Sequence, residues 1–406
     1  MYNDSMPTHF DLPPALPGLA QLFCAAGRKL YLVGGFVRDT LLGRPSCDID
    51  VCSDLAPDAV CRLLEASAFM IPQSNMPLGT LIIVSGDFKC EYTCFRTESY
   101  RPGGGHAPES VAFPASMAED ALRRDFTVNA LYYDIGAGRV IDPLKTGLGD
   151  LARRVVRTTR DPHEVFGEDP LRIMRLCRIA GALGFDIDSP TLAAAAELAH
   201  TAASLTRHRI GDELFKLLEG GGAGLTLLYD TGAAAVVSPC IKRESCRLAD
   251  GAGFEPAVAL AVLFTGCDPE RANGIMRGLA VPAATADLAS FLIRNAGYQS
   301  AGNALKLDIA MMGASKARCL AAYLHAVGSA FAASFEAALS ELLASGAPMS
   351  LQELKLTGRQ IMESLRISPG PDLGAMLQRA FCHAVRNPSK NNARDLIQYL
   401  SNGLDE

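Results

Sequence analysis

Asp48 and Asp50 stand two residues apart in Asp48-Ile49-Asp50-Val51, a run that reads as the start of a strand. Side chains at i and i+2 of a strand point to one face, so the two carboxylates converge while Ile49 turns to the core. Paired hard oxygen anions aimed at one point suit a hydrated Mg²⁺ and the phosphates it carries. Upstream, Leu32-Val33-Gly34-Gly35-Phe36-Val37-Arg38-Asp39 reads as a strand, a Gly-Gly turn and the start of a helix. Gly34 and Gly35 can take backbone angles closed to other residues and bring N–H groups close to phosphate oxygens, with Arg38 following on the first helical turn. Each piece alone is ordinary, a tight turn or a solvated strand end. Joined in one strand–turn–helix–strand unit, they point to nucleotidyl transfer.

Three further segments add to this chemistry. Residues 87–96, Asp-Phe-Lys-Cys-Glu-Tyr-Thr-Cys-Phe-Arg, alternate with period two after Leu81-Ile82-Ile83-Val84 and a Ser-Gly-Asp turn, which predicts a hairpin with Glu91 on the face of Lys89 and Thr93. Arg123-Arg124-Asp125-Phe126-Thr127-Val128-Asn129 offers two forked donors for triphosphate oxygens, and Asp125 and Asn129 can bond ribose hydroxyls. In Glu168-Asp169-Pro170-Leu171-Arg172-Ile173-Met174-Arg175-Leu176-Cys177-Arg178, apolar residues alternate with arginines at helical spacing, and Pro170 suits a first turn. Asp169 and Arg172, at i and i+3, are expected on one helix face. By residue type alone, Glu91 is an exposed strand residue and Asp169–Arg172 a helix ion pair worth a few tenths of a kcal/mol.

Taken together these blocks resemble the DNA polymerase β-like nucleotidyltransferases, and within them the bacterial class II group that includes CCA-adding tRNA nucleotidyltransferases and bacterial poly(A) polymerases. The likeness is strong from about residue 30 to 220 and weak from 350 to 400. It implies an α+β chain: a nucleotidyltransferase head with a small mixed sheet, then an all-helical neck, body and tail. It makes Glu91 the third active-site carboxylate, holding two Mg²⁺ with Asp48 and Asp50. Gly34, Gly35, Arg38, Arg123, Arg124, Asp125, Asn129, Arg175 and Arg178 become nucleotide-binding residues, with CTP and ATP as substrates. It further implies that Asp169 and Arg172 act as an amino-acid template for the incoming base. Cytosine and adenine both present an amino donor beside a ring-nitrogen acceptor, whereas uracil and guanine present a carbonyl beside an N–H. An accepting aspartate and a donating arginine match the first pair and oppose the second. The block Arg209-Ile210-Gly211-Asp212-Glu213-Leu214-Phe215 resembles the family's last motif, which supports that template helix.

Composition fits a multi-part globular enzyme. A chain of 406 residues that is 49% hydrophobic can bury several cores. Its first residues carry no basic region followed by an apolar run, and the apolar stretch from Ala257 to Phe264 is too short to cross a bilayer, so a cytoplasmic location and no membrane partner are expected. Twelve cysteines form no Cys-x-x-Cys pair, which predicts reduced thiols and no zinc site. A net charge of −6 argues against diffuse nucleic-acid affinity. The arginines are instead grouped, from Arg123 and Arg124 through Arg153, Arg154, Arg157 and Arg160 to Arg207 and Arg209, a local stripe able to attract phosphate.

The expected organisation is a flexible proline-bearing lead over 1–17, the catalytic head over 18–145, a neck over 146–222 for base and tRNA binding, a body over 223–330 and a tail over 331–406. Gly220–Gly222 marks the joint of neck and body. Where relatives carry a His-Asp metal pair after the helix beginning at Ala257, this chain has Thr265-Gly266, so a body of HD ancestry is expected to be degenerate. Leu354–Ile361 and Ser368–Gly374 resemble a tail that contacts the tRNA elbow, while the head and neck hold the acceptor end. The leading expectation is complete CCA addition, because the stretch from Thr97 to Phe113, with Gly103-Gly104-Gly105, matches the flexible loop that CC-adding enzymes lack. A poly(A) polymerase is the alternative, although the long basic tail such enzymes commonly carry is missing. An A-adding enzyme and an inactive RNA-binding relative are further alternatives. The chain is expected to act as a monomer or a homodimer.

Overall fold

Strand alternation builds the N-terminal sheet. A computed structural model describes residues 10–46, 48–100, 108–250 and 255–402. The described chain forms two compact units, 1–237 and 238–406.

In the first unit, helix α1 (Ala15–Ala25) leads to β1 (Tyr31–Val33), α2 (Gly35–Leu41), β2 (Asp50–Ser53) and α3 (Pro57–Leu64). There follow β3 (Met70–Asn75), β4 (Thr80–Ser85), β5 (Phe88–Cys94), a ribbon of β6 (Thr97–Ser99) with β7 (Ser110–Ala112), α4 (Met117–Leu122), β8 (Tyr132–Asp134) and β9 (Arg139–Ile141). Seven of these strands form one sheet in the order β3-β4-β5-β2-β1-β8-β9. The β2–β5 pair is parallel and the other pairs are antiparallel.

The predicted hairpin is present. Ser85 pairs with Phe88 across Gly86 and Asp87, and Gly86 takes φ +57°, which suits glycine at the first position of a two-residue turn. In β5, Cys90, Tyr92 and Cys94 are buried while Lys89 and Glu91 are exposed. One face of the sheet buries Leu32, Val51, Leu81 and Tyr92, with Phe23 of α1 against Tyr92 at 5.8 Å between ring centroids, and α1 packs on α3, whose Val60 is also fully buried. A fully buried aromatic such as Phe23 contributes about 1.5–3 kcal/mol. On the opposite face a smaller cluster of Val33, Cys52, Phe95, Ala121, Ala130 and Tyr132 forms the floor beneath the carboxylates.

Residues 10–17, expected in a flexible lead, are packed instead. Phe10 is buried and stacks on Tyr133 with ring centroids 3.9 Å apart, and Leu16 is fully buried in α1. Apolar content outweighs the prolines here, and Pro14 takes helical angles just ahead of α1.

After β9 the unit is helical, as expected: α5 (Gly147–Arg153), α6 (Pro162–Glu168), α7 (Leu171–Leu183), α8 (Ser189–Leu198), α9 (Arg207–Gly220), α10 (Gly224–Asp230) and α11 (Ala234–Val237). Two-residue strands β10 (Val155–Val156) and β11 (Asp186–Ile187) pair in parallel among them. The expected joint at 222 is displaced, because α10 packs on α7 and α9 and so belongs with the neck. Gly181, Gly222 and Gly224 allow this approach, since a Cβ on Gly181 would lie 2.3 Å from the Gly224 nitrogen.

The second unit contains α12 (Arg243–Ala249), α13 (Pro256–Leu263), α14 (Pro269–Gly278), α15 (Ala283–Arg294), α16 (Gly302–Met312), α17 (Ala314–Ala326), α18 (Ala332–Ser345), α19 (Gly358–Leu365), α20 (Pro371–Arg386) and α21 (Ala393–Asn402). The boundary expected at 330 is not seen, for α17 packs on α18 and α16 packs on both α18 and α20. Thr357 and Gln360 form a capping box at the start of α19. Residues Pro256 to Leu263 form a helix buried from Ala257 onward, and Thr265 then returns its hydroxyl to the Ala261 carbonyl at 3.1 Å. Among the described residues no helix is long and apolar enough to cross a membrane, and every described cysteine is a free thiol.

Candidate active site

The β2–β5 pairing brings two of the predicted carboxylates together. Asp50 lies directly opposite Glu91 in register, and the Glu91 N–H donates to the Ile49 carbonyl at 2.9 Å. Asp48 stands exposed just ahead of β2. Burial, then the neighbouring Glu91 charge, push the Asp50 carboxyl up to about 6; Arg124 opposes them, and Asp48 raises it further. Among the described residues no three acidic, histidine or cysteine side chains already form a closed ligand cluster. The donor set nonetheless fits Mg²⁺, which commonly takes one or two carboxylates plus substrate phosphates and water rather than an all-protein cage. A cation here would relieve the like-charge crowding at Asp50.

Beside this corner lies the glycine turn. Gly34 takes φ +79°, ψ −140°, a conformation that disfavours side chains, and a Cβ there would sit 3.5 Å from Asp50 Oδ2 and 3.9 Å from Arg124 Nη1. Gly35 opens α2, and a Cβ on it would lie 3.5 Å from Arg38 Nη2. The Arg38 guanidinium is held by Asp39 at 2.8 Å and donates to Asn129 Oδ1 at 2.6 Å. The expected phosphate ligand is therefore tied to the expected ribose ligand.

Asn129 in turn donates to Asp125 Oδ1 at 3.2 Å, an oxygen that also accepts from the Phe126 N–H. Arg175 grips the other Asp125 oxygen through Nε at 2.8 Å and Nη2 at 2.6 Å. Burial pushes the Asp125 carboxyl up, but Arg175, with Arg172 and the Asn129 hydrogen bond, brings it down to about 2. One chain of bonds thus runs from α2 through the 123–129 block to α7.

The two residues expected to read the base stand at the start of α7, Asp169 ahead of it and Arg172 within it, with one correction. Asp169 does not share a helical face with Arg172, because it precedes Pro170 and is extended, with φ −141° and ψ 99°. A residue before proline is disfavoured in the helical region. Its carboxylate accepts from the Leu171 N–H at 3.1 Å and from Arg209 Nη2 at 2.8 Å. Arg172 is buried and donates to the Val165 carbonyl at 3.2 Å, to Glu168 at 3.2 Å and to the Arg123 carbonyl at 3.0 Å, with Tyr100 stacked near its guanidinium. The two side chains are not an ion pair. Arg178 is bonded to buried Glu213 of α9. The block from Arg209 therefore reaches Asp169, ahead of α7, and Arg178, in the middle of that helix.

Several partners were not singled out in the sequence. Asp120 of α4 holds both Arg123 and Arg124, and Glu98 lies 3.4 Å from Arg123 while accepting from the Tyr100 hydroxyl at 2.6 Å. Only Asp120 carried a local signal, its position three and four residues before the arginines. The grouped arginines are largely charge-compensated: Arg153 reaches fully buried Asp150 at 2.7 Å, Arg157 reaches Asp188 at 3.1 Å, and Arg160 pairs with Glu164 and Glu168. The loop between β6 and β7 begins at Tyr100; Gly103-Gly104-Gly105 lies outside the described residues.

Comparison with known proteins adds to this geometry. Residues 30–157 match the model of the Poly A polymerase head domain, and residues 184–244 match a probable RNA- and SrmB-binding site of polymerase A. A CCA-adding enzyme of Geobacillus sp. (strain WCH70) is 40% identical over 221 residues, 53% of this chain and 52% of that protein. A CCA-adding enzyme of Streptococcus sanguinis (strain SK36) is 31% identical over 419 aligned residues, 98% of this chain and 99% of the relative. The crystal structure of the Bacillus stearothermophilus CCA-adding enzyme in complex with CTP superposes with a TM-score of 0.79 at 28% identity, covering 97% of this chain and 98% of that one.

Proposed function

The chain belongs to the CCA-adding enzymes, nucleotidyltransferases that build the 3′-terminal CCA of tRNA from CTP and ATP with release of pyrophosphate, and we propose that Asp48, Asp50 and Glu91 are the carboxylates with which it does so. The observation that carries this assignment is the register of Asp50 against Glu91, beside a glycine turn and the Arg124 guanidinium. The tRNA 3′-hydroxyl attacks the α-phosphate in line with the leaving pyrophosphate. Asp48, Asp50 and Glu91 would hold the Mg²⁺, which when bound would supply a lowered pKa at the attacking hydroxyl and charge neutralisation at the triphosphate and leaving group.

The protein's own groups do the rest. Gly34 and Gly35 let the backbone approach the triphosphate, and Arg123 and Arg124 supply forked donors to its oxygens. Asn129, fixed between Arg38 and Asp125, offers its amide to the ribose. For the base, Arg172 uses three of its five N–H groups on protein acceptors, which leaves donors for a ring nitrogen. Asp169 keeps acceptor capacity beyond the bonds from Leu171 and Arg209 for an exocyclic amino group. Arg175 and Arg178, anchored on Asp125 and Glu213, hold the helix that carries the reader.

In this reading the helical neck takes the acceptor end, the tail contacts the tRNA elbow, and the body from α13 onward is a degenerate HD scaffold. The enzyme works in the cytoplasm as a monomer or homodimer. The test uses tRNA transcripts lacking CCA, lacking only the final A, and complete, each with single nucleotides and Mg²⁺, with product length as the readout. CTP is expected to add two residues to the first and ATP one to the second, with no extension of the third and no use of UTP or GTP. A long adenosine run would instead indicate a poly(A) polymerase, and failure of ATP to extend the transcript lacking only the final A would indicate a CC-adding enzyme.

A further inference from the structure

We propose that Asp120 is a positioning residue that fixes Arg123 and aims Arg124 at the phosphates of the incoming nucleotide. Asp120 lies in α4, whose first turn is fixed by a capping box between Ser116 and Glu119. At three and four residues ahead of the two arginines it faces both along the helical direction. Its carboxylate is 1% exposed.

The geometry is that of a double clamp. Asp120 Oδ1 accepts from Arg123 Nε at 2.8 Å and lies 2.7 Å from Arg123 Nη2. Oδ2 accepts from Arg124 Nη2 at 3.0 Å and Nε at 3.3 Å. Each arginine thus turns its Nε/Nη2 edge to Asp120, Arg124 Nε also donating to the Tyr132 hydroxyl at 3.2 Å, so that Nη1 is the end left to other partners. Arg124 Nη1 ends at the glycine turn, 3.9 Å from where a Gly34 Cβ would stand, and Arg123 Nη1 ends at Glu98.

The clamp is itself anchored from the sheet. The Tyr132 hydroxyl donates to Asp120 Oδ2 at 2.6 Å, and the fully buried Tyr132 ring lies edge-on to Phe95 in the floor cluster, with Arg124 5.3 Å from its centroid. Burial alone would push the Asp120 carboxyl up, but Arg124 and then Arg123 outweigh it and hold it below the usual carboxylate range. A buried ion pair is weak evidence for stability in itself and costs most when one partner is removed. What this one fixes is direction, since a guanidinium held along one edge can offer donors only from the other.

The inference rests on the reading that Arg123 and Arg124 meet the triphosphate, and the experiment separates the two. Dissociation constants for CTP and CMP with Mg²⁺ are measured for wild type, Arg124→Ala, Asp120→Asn and Tyr132→Phe, with melting temperatures alongside. A charge-assisted hydrogen bond contributes enough that Arg124→Ala should weaken CTP about tenfold or more and CMP by less than about twofold. Equal weakening of both ligands would overturn the arginine reading. Asp120→Asn should reproduce the CTP-selective loss, and wild-type CTP affinity in that variant would overturn the role of Asp120. Should Asp120→Asn fail to fold, Tyr132→Phe decides: it leaves both arginines and Asp120 in the chain and removes the hydroxyl that holds Asp120 Oδ2. It should lose CTP affinity severalfold, and wild-type affinity would again overturn the clamp.

Discussion

A methyl group placed on Gly181 would collide with backbone. Its Cβ would lie 2.3 Å from the Gly224 nitrogen, 2.5 Å from the Gly224 Cα and 3.0 Å from the Ala223 carbonyl carbon. The opposing segment cannot retreat freely, because a Cβ on Gly222 would in turn meet the Gly181 oxygen at 2.1 Å and Gly222 takes φ +72°. Helix propensity alone would make alanine the better residue within α7 by about 1 kcal/mol. Overpacking costs about 1–3 kcal/mol and more where the obstacle is backbone. The net expectation for Gly181→Ala is a loss of about 2 kcal/mol, or roughly 4–8 °C in the melting of a unit of this size. Because α7 carries Arg172, Arg175 and Arg178, kcat/KM for CTP should fall with it. Gly220→Ala serves as the control, since its Cβ would stand at an ordinary 3.6 Å from the Ala182 Cβ. Thermal unfolding and steady-state kinetics on both variants decide the matter. A Gly181→Ala protein that melts higher than wild type would mean that propensity governs this helix and that the α7–α10 approach does not constrain it.

Two other outcomes follow from the same site. Asp125→Asn removes the carboxylate that Arg175 holds at about 2, against a usual value near 3.8. A depressed folded pKa stabilises above the unfolded pKa and is lost as pH falls through the folded one. The wild-type advantage in unfolding free energy from urea titration should therefore be about 2 kcal/mol at neutral pH and shrink between about pH 4 and 2, and a constant difference over that range would refute the linkage. For base choice, Asp169→Asn and Arg172→Ala should relax discrimination against UTP and GTP on tRNA lacking its final A, by about ten- to hundredfold in relative kcat/KM. Unchanged ratios among the four nucleotides would return both residues to a purely structural role.

What was readable in the sequence was local. Alternation and a Gly-containing turn placed the β4–β5 hairpin and put Glu91 on its exposed face, because strand period and turn chemistry act over a few residues. The convergence of Asp50 with Glu91 needed the parallel β2–β5 register, which no local pattern specifies. Spacing misled at Asp169, where counting i to i+3 presumed a helix that Pro170 delays by one residue. The partners that hold the site, Arg209 on Asp169, Tyr100 beside Arg172 and Arg175 on Asp125, are distant in sequence and depend on packing between elements. The glycines at 220–222 were readable as a break, but their place in a close approach between α7 and α10 was not.

The central claim is that Asp50, with Asp48 and Glu91, supplies the negative corner at which the nucleotide is transferred. The most direct measurement is single-turnover CTP addition to tRNA lacking CCA by Asp50→Ala, with Mg²⁺ as the only divalent metal and tRNA binding measured on the same preparation. Loss of several kcal/mol of transition-state stabilisation predicts a rate below about a thousandth of wild type with tRNA affinity within about twofold. Retention of more than about a tenth of the wild-type rate would contradict the account.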